Sequence, residues 1–125
     1  MDETEIEFKN SRNEKIKIKC EIAKTLYQKT KGLMHREDLD LNKGMLFIFT
    51  LPWIRIFWMK NVKIPLDIIF INRKKEIIKI YEAPVEKKIA YKLYYSKGFC
   101  KYVIETNLGF CKKNKIKIKD KIKFL

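Results

Sequence analysis

KIKIKCEIAKT, residues 15–25, decides the fold class. Ile16, Ile18, Cys20 and Ile22 alternate with Lys15, Lys17, Lys19 and Glu21. A period of two is that of a strand with one face buried and the other in water. Cys20 stands in the apolar file and reads as core. Working outward, TEIEF upstream repeats the alternation. Downstream, Thr25-x-x-Gln28 has the form of a capping box, so LYQKTKGLM begins as a short helix that Gly32 ends or turns. His35–Asp38 and Leu41–Gly44 read as loops.

The same reading gives strands at GMLFIF (44–49), RIFWMKN (55–61), DIIFI (67–71), EIIKIYE (76–82) and KYVIE (101–105). In RIFWMKN, strand alternation would set Trp58 and Lys60 on one face and Phe57, Met59 and Asn61 on the other. TLPWIR is loop or sheet edge because of Pro52. Val62–Pro65 is a turn, and Asn72–Lys75 a polar hairpin loop. Residues 83–98 resist placement. Thr106 or Asn107 is expected to cap a short helix over LGFCKKN, with Asn114 left-handed at its end. KIKIKDKIKFL closes the chain as one or two strands bent near Lys119–Asp120. Seven to nine short strands with two short helices predict a single-domain, mainly β fold of β-sandwich or barrel-like type. Parallel βαβ units would need longer helices between the strands.

One domain is what 125 residues allow, and 46% apolar residues suffice for its core. The net charge of +14 comes with 25 Lys and 19 Ile against 4 Arg and 3 Ala. That bias fits an AT-rich genome, and a heat-loving host would push the same way. The same charge would attract nucleic acid or anionic membrane non-specifically. Residues 1–14 carry −3 and residues 112–125 carry +6, so pairing of the two ends as neighbouring strands would partly neutralise both. Cys20, Cys100 and Cys111 form no C-x-x-C pair, and His35 is the single histidine, which argues against a disulfide framework, a metal site or a cofactor. The acidic N-terminus lacks the form of a signal peptide, and Pro52 and Arg55 interrupt the most apolar run. The expectation is a soluble, cytoplasmic protein with reduced thiols and no membrane span.

KGLMHREDL, GMLFIF, FWMKN, IPLDIIFI, YVIETNLGF and the closing IKIKDKIKF follow one another in order over residues 15 to 125. Together they resemble the family catalogued as domain of unknown function 192. The resemblance implies a compact, mostly β domain of sandwich or barrel type. It brings candidate positions and no settled activity. The resemblance also implies that many relatives are exported or tethered through an added N-terminal segment, and none is expected here. The 72–75 hairpin has no Gly, and Lys119–Asp120 stands where a Gly-Asp turn is usual.

FWMKN and IPLD place a cation, an amide and a carboxylate in apolar surroundings. A buried charge is costly unless paired. The bland account has Asp67 capping a turn after Pro65 and Lys60 covering a rim with its stem. The sharper one is a pocket for a small polar ligand, lined by Trp58, Lys60, Asn61 and Asp67 and joined by Met34, Arg36 and Glu105. A paired Asp and Glu would suit acid–base chemistry, but no Ser–His or Cys–His pair and no Gly-rich phosphate loop marks an enzyme. A competing reading is single-stranded nucleic-acid binding through Lys87, Lys88, Tyr91, Lys92, Tyr95, Lys97 and Lys101, interleaved with Tyr94, Phe99 and Tyr102. A third has TLPWIRIFW presenting Trp53 and Ile54 as an apolar edge for a protein partner or a second copy.

Overall fold

The structure is a computed structural model that describes residues 1–87 and 90–125. Among them nine strands and two short helices follow one another. They are β1 (Glu3–Lys9), β2 (Lys15–Ala23), α1 (Leu26–Lys31), β3 (Lys43–Trp53), β4 (Ile56–Phe57) and β5 (Leu66–Ile71). After them come β6 (Ile77–Ala83), β7 (Tyr94–Tyr95), β8 (Cys100–Asn107), α2 (Phe110–Lys113) and β9 (Lys121–Phe124). Seven strands form one sheet in the order β6-β5-β8-β3-β2-β1-β9, while β4 and β7 pair apart. The sheet curls until its ends meet: Ile77 N–H donates to Asp120 O (2.9 Å), Lys119 N–H to Ile77 O (2.8 Å) and Ile122 N–H to Lys75 O (3.0 Å). Of the two expected architectures, the barrel-like one is realised.

Period-two patterning then sorts the side chains. Ile6, Ile18, Leu46, Ile69, Ile77, Ile104 and Ile122 come from all seven strands and meet in one cluster, which is the barrel interior. Phe110 and Cys111 of α2 pack into it, Phe110 edge-on to Phe8 at 5.3 Å. On the opposite face, Met45, Phe47, Ile68, Phe70 and Val103 carry a second cluster with Leu33, Met59, Val62, Ile64 and Tyr94 from the connecting segments. The end strands pair as expected, with Glu7 opposite Lys123.

Several local expectations need correction. β2 and β3 run parallel, from Lys19 opposite Lys43 to Ala23 opposite Phe47, joined across α1. β3 continues through Pro52, because its ladder with β8 slips between Ile48 and Trp53 and frees a position that needs no N–H. FWMKN is a strand only at Phe57. Val62 N–H closes a turn onto Met59 O (3.1 Å), and Asn61 takes φ +60°. The two-faced assignment of Phe57 to Asn61 therefore fails. Neither Thr106 nor Asn107 caps α2, whose N-cap is Gly109. Asn114 has φ −99°, and the left-handed residue is Lys115. The chain end forms a single strand, β9, after turns over residues 115–120.

Candidate functional site

On the second face, α1 and the segment 54–58 leave a cavity of about 540 Å³, a size that suits small molecules. α1 is fixed by the predicted capping box: Gln28 N–H donates to Thr25 Oγ1 (3.1 Å), and Gln28 Oε1 accepts from Thr25 N–H (3.3 Å). Phe47 and Phe49 stand two residues apart on one face of β3, and Phe57 meets them edge-on at 5.0 and 6.4 Å. Met34, Trp58 and Glu105, three of the seven expected pocket residues, line this cavity.

Glu105 is the unusual member. β8 is bonded on both sides, with Glu105 opposite Met45 of β3 and Ile68 of β5. Its side chain is held between two fully buried apolar ones. Glu105 is only 4% exposed, and no hydrogen bond to its carboxyl forms among the described residues. Burial pushes that carboxyl up to about 8, so at neutral pH it mostly keeps its proton. It can donate to a carbonyl or hydroxyl, or ionise against a cation. Gly44 permits the close strand approach: a Cβ there would lie 2.7 Å from the Glu105 carbonyl oxygen.

Two cations line the same cavity near Phe49. Lys29 Nζ lies 4.5 Å from the ring centroid and donates to Ile48 O (3.2 Å). The Arg55 guanidinium lies 4.0 Å from that centroid and donates to Leu51 O, while its buried Nε has no partner. No carboxylate among the described residues pairs with either. Burial and the neighbouring Arg55 both lower the Lys29 pKa. The sequence reading missed this pair. In GMLFIF, strand geometry alone sets Phe47 and Phe49 on the face of Met45. Arg55, one of four arginines, reads in the sequence only as a break in an apolar run.

The other four expected residues turn elsewhere. Asp67 is opposite Thr106, one position from Glu105, so the two carboxyls lie on opposite faces of the sheet. Asp67 faces the interior and accepts the Gly109 N–H (3.2 Å) and the Cys111 N–H (2.9 Å), anchoring α2. Burial raises its pKa against the opposing pull of those amides. Arg36 grips Glu21 through both Nη atoms, a bond that lowers the Glu21 pKa and raises its own. Lys60 is exposed, 5.3 Å from the Trp58 ring. Asn61 offers its backbone carbonyl to His35 N–H (2.9 Å).

Of the alternative nucleic-acid set, Lys88 lies outside the described residues. Lys101 Nζ is held by Phe49 O (2.9 Å) and Thr50 O (3.0 Å). Tyr91 meets Trp58 edge-on at 6.0 Å, and Lys92 lies 5.2 Å from the Tyr94 ring. Tyr94 and Tyr102 belong to the core. Lys87, Tyr95 and Lys97 are exposed. Trp53 and Phe99, 63% and 59% exposed, stack with centroids 5.6 Å apart and planes 11° off parallel. Beside them Ile54 is also exposed, so the edge expected around Pro52 exists.

No helix among the described residues is long and apolar enough to cross a membrane. Among them, no group of three or more His, Cys, Asp or Glu residues is placed to hold a metal ion.

None of the curated proteins matches the chain. Among solved structures it is similar to a candidate transcription regulator of Sinorhizobium meliloti, with 28% identity and a TM-score of 0.92 over 98% of this chain and 94% of the other. It is also similar to a protein of unknown function from Novosphingobium aromaticivorans, with 29% identity and a TM-score of 0.88 over 95% and 83%. The family model described as Uncharacterized ACR matches residues 8–124, and the chain therefore belongs to the domain of unknown function 192 family.

Proposed function

We propose that this chain is a binding module for a small polar ligand, held in the cavity between the second face of the sheet and α1. One observation carries the reading: Glu105 is buried at the cavity wall with no hydrogen bond to its carboxyl among the described residues. Buried polar groups are ordinarily paired, and one left open toward a cavity is available to a ligand. Met34 and Trp58 supply apolar lining beside it. Binding is the activity proposed. The buried thiols of Cys20, Cys100 and Cys111 fit a reducing compartment, and we place the protein in the cytoplasm.

The test is an amide NMR titration of the intact chain with pooled metabolites. Shifts centred on residues 33–34, 47–49, 55–58 and 103–105 that vanish in Glu105→Leu support the reading. Shifts elsewhere, or none, refute it.

A second reading has one observation in its favour. The exposed Trp53–Phe99 stack, with Tyr95 and Lys97 on the same stretch of surface chain, is the kind of platform on which single-stranded bases stack. The similar Sinorhizobium protein is described as a candidate transcription regulator. Oligonucleotide binding that weakens steeply with salt and is lost in Trp53→Ala would favour this reading.

A further inference from the structure

We infer that the cavity takes an elongated zwitterion: an organic molecule with an ammonium-type cation at one end, an apolar body, and a carboxylate or phosphate at the other. This rests on the ligand-binding reading above and names the class of ligand.

The charged groups lining the cavity are Glu105, Lys29, Lys31 and Arg55. Were the carboxyl beside the cations, they would neutralise one another and need no ligand. The sheet register keeps Lys29 and Arg55 apart from the carboxyl. Glu105 stands opposite Met45, whereas Lys29 and Arg55 gather on Phe49, four residues further along the same strand. Four strand residues span about 13 Å. Neither end is fully satisfied from within: the cations reach only the backbone carbonyls of Ile48 and Leu51. Glu105 has no hydrogen bond to its carboxyl, and Arg55 Nε is buried without a partner. No carboxylate among the described residues pairs with Lys29 or Arg55, although the two cations crowd one aromatic ring. Between the ends lie Phe47 and Phe57, which offer only apolar surface. Aromatic faces also favour an organic cation approaching Glu105. When an ammonium binds the protonated carboxyl, the Glu105 proton leaves to solvent and the carboxylate pairs with the cation.

The experiment titrates the 15N-labelled chain with 8-aminooctanoate, octanoate, octylamine and 4-aminobutyrate. Extended 8-aminooctanoate separates its charges by roughly 10 Å, and the protein side chains cover the remainder. We expect it to bind at least about tenfold tighter than either one-ended probe, since each charged end adds a charge-assisted contact. 4-Aminobutyrate, too short to reach both ends, should gain little. Glu105→Gln should erase the advantage over octanoate, and Arg55→Met the advantage over octylamine. Lys29→Met replaces Arg55→Met if the latter fails to give a folded amide spectrum. Equal affinities for one-ended and two-ended probes, with shifts in the same cavity, would overturn the zwitterion and leave the binding reading intact. If none of these probes shifts the cavity residues, the zwitterion is refuted. A cavity response to the metabolite pools would then still uphold binding, and silence there would remove both.

Discussion

Replacing Glu105 with Gln should change how stability depends on pH more than its value at any one pH. The carboxyl titrates near 4.5 when exposed and near about 8 in the fold. Its folded-state value is raised, so between those limits the folded chain holds a proton that the unfolded chain has released. The Glu105 contribution to wild-type stability is therefore greatest below pH 4.5 and is lost as pH rises toward 8. Each pH unit is worth 1.36 kcal/mol, so the whole interval sets a ceiling of about 5 kcal/mol. The cavity opens to solvent, which screens the carboxylate, and about 2–4 kcal/mol is the expected loss. Gln fills the same volume and cannot ionise. Urea unfolding followed by circular dichroism at pH 5, 6, 7, 8 and 9 would compare the two chains. Glu105→Gln should gain on the wild type with each step up to pH 8 and level off beyond. Parallel curves, or a wild type that gains on the variant with rising pH, would refute the buried, unpaired carboxyl.

Further outcomes follow from the same geometry. Asp67→Ala leaves the Gly109 and Cys111 amides without an acceptor and should cost about 2–4 kcal/mol by urea unfolding, while leaving the cavity amide shifts in place. Gly44→Ala drives a Cβ onto the Glu105 carbonyl and should cost about 2–3 kcal/mol in the same assay. Glu21→Gln breaks the half-exposed Arg36 pair and should cost about 1 kcal/mol. The Glu21 pKa is lowered in the fold, so that loss should shrink as pH falls below the ordinary carboxylate range. Thr25→Ala removes the α1 cap at about 1 kcal/mol, measurable as faster amide exchange over residues 26–31.

Period-two patterning made β2 legible, because Ile16 to Ile22 can satisfy burial only by alternating with the charged residues between them, whereas β5 and β8 are buried on both faces and show only as short apolar runs. What it could not supply is register. LDIIFI and KYVIE each carry one acid, and a shift of one residue decides whether the two share a face. Asp67 and Glu105 both sit in apolar strands and are expected in one pocket, yet Asp67 faces Thr106 across the ladder. The FWMKN segment misled for a different reason. Its aromatics carry strand propensity, but Lys60–Asn61 make the turn, and Asn is a residue that tolerates the left-handed conformation. Lys29 was invisible in a lysine-rich helix, since only its distance to Phe49 separates it from its neighbours.

β9 follows every other strand in the chain, yet it is bonded to the first strand on one side and reaches the start of β6 on the other. Contacts so far apart in sequence make for high contact order, and chains of this kind close in milliseconds to seconds rather than microseconds. During synthesis β1 and β2 can pair as a hairpin at once, but β1 then waits with an open edge until the last lysine-rich strand emerges. For that interval the acidic residues of β1 matter most: Glu5 and Glu7 keep one nascent chain from zipping onto the β1 edge of another, because like charges would meet across the seam. When β9 arrives, its lysines make the same edge attractive to the one partner on the same molecule.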